Sequence, residues 1–405
     1  MTGWLRTQAG FSVAVMVIAL LVLLTTVAYC IYIERKIAAF IQDRLGPNRV
    51  GPRGLLQPLA DGLKFILKED IIPAGVDRPL FILAPMIIFM ASFITFAVIP
   101  WGGPIRFADG TRVNVQVASL DVGLLYLLAV ASVGVYGIVL GGWASNNKYS
   151  FYGAMRAAAQ MLSYEIPMGL AILVAVLTAG ELRLDRIVEG QIGGGQGGVW
   201  IGLLHPLACV IFLITALAES NRLPFDLAEA EQELVGGYHT EYSAMKFGLF
   251  FLAEYAGMIV NGALVATLFL GGWELFPFSG RLGWGWVDWI NRSPFWLAAA
   301  VRCGIVYAKV MFFILLAMWI RWTLPRFRFD QLMRLAWKGL VPLGMALVGA
   351  TGLLVYLGKA VSWWAPVAEG AVVAATLLWV SRSRTGLTGR QSYLPPVPGE
   401  AGATK

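Results

Sequence analysis

The chain has 405 residues, of which 58% are hydrophobic, 14% are charged and 15 are tryptophan. Mean hydropathy is +0.70 and the net charge is +7. A globular domain is about 45–50% apolar and about 25% charged, so the composition excludes a soluble fold and indicates an integral membrane protein.

A bilayer core of about 30 Å takes about 20 apolar helical residues. Eight runs qualify, at about 11–33, 79–100, 120–141, 158–180, 199–218, 247–271, 301–320 and 339–358. A ninth, 362–380, is interrupted by Pro366 and Glu369 and is kept as a possible span. The first run, FSVAVMVIALLVLLTTVAYCIYI, exceeds the apolar stretch of about 7–15 residues of a signal peptide and no small-residue cleavage pattern follows, so it reads as a retained span. A barrel would show short alternating segments instead. The expected fold class is therefore all-α, a polytopic transmembrane helix bundle of eight or nine spans with long structured loops.

Lys and Arg set the orientation. The loops after spans 1, 3, 5 and 7, with the C-terminus, carry 20 of them; the N-terminus and the other loops carry 8. The first group is expected to face the cytoplasm, with the N-terminus outside. This bias accounts for most of the +7, and nucleic-acid binding is not needed to explain it. The longest of these loops, 34–78, has a turn-rich centre, LGPNRVGPRG, followed by LLQPLADGLKFILKE. In the latter, Leu55, Leu59, Leu63 and Ile66 share one helical face, with Asp61, Lys64 and Lys68 away from it. Such a helix can lie in the membrane interface. The outward loops, such as GQIGGGQGG at 190–198, read as plain flexible connectors.

Several ionisable residues fall inside or at the ends of spans. They are Glu34, Glu165, Glu219, Glu254, Arg302 and Lys309. A charge at the bilayer centre costs about 2.5–3.5 kcal/mol or more, so each is a functional candidate. Asn261 follows Glu254 by seven residues, on the same helical face. The plain structural alternative is a set of fixed ion pairs, for example Glu254 with Lys309. Between two spans lies AESNRLPFDLAEAEQELVGGYHTEYS, residues 218–243. It holds six of the 24 acids, Glu219, Asp226, Glu229, Glu231, Glu233 and Glu241, and one base, Arg222. Burial and like-charged neighbours favour neutral carboxyls, and a string of such groups suits a proton path. A solvated charged loop is the alternative, although the interleaved apolar residues and the GG at 236–237 argue for more.

Cys30, Cys209 and Cys303 each sit in an apolar run without a CxxC, and clusters or structural zinc need about four close ligands. His205 and His239 are the only histidines, and His239 lies in the acidic loop, so a bis-histidine haem is not expected.

Taken with these features, several longer stretches resemble a known family, the H subunit of respiratory complex I, the bacterial counterpart of the mitochondrial NADH dehydrogenase subunit 1. The resemblance rests on IERK at 33–36, QDRLGPNRVGPRGLLQPLADGLKFILKE at 42–69 and GWASNNKYSFYGAMRAAAQMLSYEIPMGL at 142–170. The acidic segment and RWTLPRFRFDQLMRLAWK at 321–338 complete it. The resemblance implies a membrane subunit of proton-pumping NADH:quinone oxidoreductase that joins the peripheral and membrane arms. Quinone is then the substrate. NADH, FMN and the iron–sulfur clusters belong to partner subunits, above all the peripheral subunit with the terminal cluster, alongside the neighbouring quinone-site subunit and small membrane subunits.

Carried over motif by motif, Glu34, Arg35, Lys36, Gln42, Arg44, Asp61 and Lys64 resemble the wall and mouth of the quinone cavity, with Arg222 and Phe225 beside it. For Arg44, Arg49 and Arg53, contact with lipid headgroups or with the peripheral arm is an equal alternative. Glu165, Glu219, Asp226, Glu229, Glu231, Glu233 and Glu254, with Lys309, resemble the proton path. Tyr238, His239 and Tyr242 lie close by. Arg326, Arg328, Asp330 and Gln331 resemble a docking surface for the peripheral arm. On this reading residues 1–358 form the tunnel and proton-path domain, 359–381 the possible ninth span and 382–405 a disordered cytoplasmic tail. The rivals are the equivalent subunit of a membrane-bound hydrogenase or other-donor dehydrogenase, and a stand-alone transporter, which usually shows paired repeats absent here.

Overall fold

Where the sequence runs apolar for a membrane's thickness, the chain is helical. The computed structural model describes residues 8–106, 112–193, 198–227, 236–277, 285–293, 295–359, 361–362 and 364–384. The first four spans are α1 (Gln8–Ile41), α3 (Arg78–Ile94), α4 (Gly123–Ala144) and α5 (Lys148–Ala179), with the short α2 (Gln57–Leu67) after α1. The fifth is broken into α7 (Ile201–Leu204) and α8 (Pro206–Glu219), preceded by α6 (Leu184–Gly193). The break falls at His205 because Pro206 has no N–H for a helical bond and favours a first-turn position. Next come α9 (Ala244–Leu268), α10 (Gly285–Arg292) and α11 (Trp296–Thr323). The eighth span joins α12 (Phe329–Arg334), a π-helical turn (Leu335–Leu340) and α13 (Val341–Tyr356).

Seven of these helical segments are long and apolar enough to cross a membrane, and Pro206–Glu219 is a shorter apolar helix. The possible ninth span is also helical, as α14 (Trp364–Arg384). Pro366 stands in its first turn, where no intrahelical donor is required. Glu369 is buried, with His205 Nδ1 3.0 Å from one carboxyl oxygen and Leu207 N–H donating to the other at 2.8 Å. The residue that interrupts the apolar run is therefore what attaches the helix. Residues 385–405 of the expected tail lie outside the described residues.

In lipid, helices associate through close packing of small residues. The α3–α4 contact shows this: a Cβ on Gly137 would meet the Ala84 carbonyl at 2.9 Å. The main core lies among α5, α8, α9 and α11, with Tyr164, Phe212, Phe269 and Val306 fully buried. Helix α1 is mostly exposed, which leaves it to lipid or to partners. Helix α2 forms as expected, and Leu55, Leu59, Leu63 and Ile66 all stay exposed.

The connections collect at two ends. At the basic end, Asp77 N–H reaches the Ala144 carbonyl, Lys246 pairs with Asp70 at 2.6 Å, and Asn147 donates to Glu241 at 2.6 Å. The other end is not made of plain connectors, contrary to expectation. Strands β1 (Gly102–Arg106) and β2 (Arg112–Val115) pair antiparallel, with Ile105 opposite Val113. Arg112 ties this hairpin to α6 through Glu189 at 2.6 Å, and Asn114 donates to Asp185. Buried Arg302 holds the same end by donating to the carbonyls of Pro104, Asn291 and Ser293.

Candidate functional site: linked carboxylates in the bundle

The base of the acidic segment is fixed from α5. The Gln160 side-chain amide Nε2 donates to the carbonyls of Ala218 and Phe225, both at 2.9 Å. Phe225 packs between Tyr164 and Phe327, with both ring centroids 5.6 Å away. Phe327 N–H donates to the Pro224 carbonyl at 3.1 Å, which joins NRLPFD to the start of the 324–331 segment. Gly153 lets α5 approach the loop's far end, since a Cβ there would meet the Gly237 backbone at 2.8 Å.

This frame aims Arg222 into the bundle. Its Nη1 lies 3.2 Å from both Glu34 carboxyl oxygens, and its Nε lies 2.6 Å from Glu254 Oε1. The guanidinium stacks over the Tyr255 ring at 4.2 Å. The Tyr255 hydroxyl donates to Glu34 at 2.5 Å, and Arg321 at the end of α11 pairs with the same carboxylate. Two carboxylates and two guanidinium groups thus share one buried cluster, which balances charges that would be costly alone. Glu254 pairs with Arg222 and not with Lys309, so the Glu254–Lys309 pair named as an example of the structural alternative is not formed. Lys309 contacts the segment after α9's end, and the fourteen helical residues from Glu254 to Leu268 separate the two by roughly 20 Å at about 1.5 Å per residue.

Beside the cluster is a cavity of about 90 Å³ lined by Ser92, Thr95, Glu219, Tyr238, Glu254 and Asn261 among apolar side chains. One water occupies about 10–15 Å³ on this measure, so several fit. Asn261 Nδ2 donates to Glu219 at 3.1 Å, and Glu165 lies close enough to act on Glu219 electrostatically. Glu165 itself is hydrogen-bonded to the Ser132 hydroxyl, which also contacts the Leu128 carbonyl at 3.0 Å. That hydroxyl has one hydrogen. It can serve an ionised Glu165, or give its hydrogen to Leu128 and accept from a protonated Glu165. The arrangement accommodates both charge states.

A second cavity of about 170 Å³ lies between α1, α2 and α9, lined by Tyr32, Arg35, Asp61, Phe65, Gly248 and Phe251 among others. Arg35 and Asp61 pair across it at 2.8 Å, with Lys64 3.7 Å from the same carboxylate. Lys36 rests over the Tyr32 ring, while Gln42 and Arg44 are exposed and bonded to each other at 2.7 Å.

The structure therefore brings together Glu34, Arg222 and Glu254, then Glu219 and Glu165, and separately Arg35, Asp61 and Lys64. Asp226 is buried nearby, Tyr238 lines the first cavity, and Tyr242 stacks on Phe81 at 4.0 Å. Phe225 is a packing residue in the core. Glu229, Glu231 and Glu233 lie outside the described residues. Arg328 and Asp330 are exposed and paired at 3.6 Å, next to Gln331. Sequence reasoning missed Tyr255, Arg321, Gln160 and Ser132. Tyr255 adjoins Glu254 and Arg321 ends an apolar run, but neither position reveals its partner, which comes from a distant helix.

Taken together, a bundle of apolar helices with a buried carboxylate–guanidinium cluster, a cavity holding acids among apolar side chains and structured basic loops defines a polytopic membrane protein. The NADH dehydrogenase family profile matches residues 14–352, and the chain belongs to that family. It is 49% identical over 337 residues to the NADH-quinone oxidoreductase H-subunit 1 of Geobacter metallireducens, covering 83% of this chain and 94% of that one. It is 49% identical over 343 residues to NADH-quinone oxidoreductase subunit 8 of Rhodothermus marinus, covering 84% and 94%. With the H-subunit 1 of Cytophaga hutchinsonii it shares 46% over 329 residues, 81% and 92% of the two chains.

Proposed function

We propose that this chain is the membrane subunit through which NADH:quinone oxidoreductase couples quinone reduction to proton translocation. Its basic end faces the cytoplasm of a bacterial inner membrane, in keeping with the 20-to-8 distribution of Lys and Arg. Quinone enters from the bilayer through the cavity between α1, α2 and α9, past Arg35 and Asp61. It takes two electrons from a partner subunit's cluster and two protons from groups around it, leaving as quinol.

The observation that carries this reading is the Arg222 guanidinium shared between Glu34 and Glu254. Charge appearing near Glu34 in a low-dielectric site acts strongly on the cations that hold it. Any change in how Arg222 divides itself between the two carboxylates alters Glu254, which lines the cavity of about 90 Å³ with Glu219 and Asn261. Protons then pass among Glu254, Glu219 and Glu165 toward partner subunits of the membrane arm. The acids of 226–241 supply the basic-end mouth of this path, and Arg326 to Gln331 supply part of the docking surface for the peripheral arm.

Arg222→Lys tests the reading, because Lys keeps the charge but loses the fork that can hold two carboxylates. In membranes with normal complex content by blot, NADH-driven quinone reduction and proton pumping are both expected to fall, pumping further. Unchanged rates and pumping ratio would overturn the role given to Arg222.

A further inference from the structure

The acid cavity has an opposite boundary, at the hairpin end. Beyond Asn261 and Leu264, α9 runs on through Val265 and Leu268, both buried, to its last turn. From Asn261 to Leu268 is seven residues, roughly 10 Å of helix at about 1.5 Å per residue. A helix end normally leaves its last carbonyls for water or a cap. Here protein groups take them. Gln191 Nε2 donates to the Thr267 carbonyl at 3.0 Å, and Gly202 N–H to the Phe269 carbonyl at 2.9 Å. Lys309 Nζ, from α11, reaches the carbonyls of Leu270, Gly272 and Glu274 at 2.5, 2.8 and 2.5 Å. The same amine lies over the Trp200 ring at 4.5 Å, and Trp200 Nε1 donates to the fully buried Glu274 carboxylate at 2.9 Å.

Three carbonyl acceptors call for three N–H donors, which only the ammonium form of lysine has. An ammonium group with every hydrogen committed has no lone pair to receive a proton. It also repels a hydronium ion approaching through an apolar layer, as cationic groups do in pores that exclude protons. The Trp200 ring covers the same amine, and its indole N–H holds the Glu274 carboxylate beside it.

We propose that Lys309 seals the hairpin end of the acid cavity, so that protons entering from the basic end leave through partner subunits and not through this face. The inference rests on the proton-path reading of Glu219 and Glu254. It gives Lys309 a barrier role in place of a relay role.

The test uses the whole complex in sealed vesicles, without NADH, under an imposed membrane potential, with a trapped pH dye reporting passive proton influx. Lys309→Gln removes the charge and leaves room for water. It is expected to raise the leak several-fold at normal complex content, while Lys309→Arg stays close to wild type. Adding Glu219→Gln to Lys309→Gln is expected to restore tightness, because Glu219 lies on the inner half of the leak. A Lys309→Gln complex as tight as wild type overturns the seal and leaves the acid-path reading untouched. A leak that survives in the double variant overturns the acid path, and this inference with it.

Discussion

Glu34 on α1 and Glu254 on α9 share one guanidinium, that of Arg222, which reaches them with different nitrogens. Glu34 is also held by Arg321 and by the Tyr255 hydroxyl. Removing this carboxylate leaves two cations facing a buried site. Breaking a buried pair from one side costs about 3–5 kcal/mol. Glu34→Ala is therefore expected to lower the amount of assembled complex and its thermal midpoint. Quantitative blotting and a thermal-shift assay on the purified complex check this.

Helix α14 is held by His205 and Glu369. His205 Nε2 lies 2.9 Å from the Thr178 hydroxyl on α5, so both ring nitrogens are engaged. Glu369→Leu leaves the imidazole and the Leu207 N–H without this partner, at about 1–3 kcal/mol for each buried group left unsatisfied. Faster amide exchange across 364–376 is expected. A compensating His205→Leu change should recover part of the protection, because replacing both partners by apolar groups is less harmful than replacing one.

At the hairpin end, Asp185 is buried, which favours its neutral form. The Arg183 side chain outweighs this through a hydrogen bond and its charge, and holds the carboxyl below its ordinary range. A depressed carboxyl contributes stability above its unfolded pKa of about 3.9 and loses it as pH falls through the folded value. Exchange protection of 112–115 and 184–193, corrected for intrinsic rates, should hold between pH 7 and 5 and fall below about 4. Asp185→Asn should lower protection at neutral pH and flatten this dependence.

Span positions and the basic-end loops were legible because a run of about twenty apolar residues and a Lys/Arg bias are one-dimensional signals. The individual carboxylates were legible because charge within such runs is costly. Their partners were not. Nothing near Glu254 in sequence names Arg222, and the two meet only because Gln160 and Phe225 pin a loop that precedes α9. The β1–β2 hairpin did have a local signal, the Asp109-Gly110 pair between two short strand-forming stretches. Glu369 read as a defect in a span because its partner, His205, lies 164 positions away in the chain.

The most direct test of the coupled path is Glu165→Gln, in membranes where blotting confirms assembly, with NADH-driven quinone reduction and proton pumping followed together. Gln keeps a hydrogen bond to Ser132 but cannot change charge. The expected result is a fall in both activities. Normal values of both in an assembled complex would contradict the path and make Glu165 a structural residue.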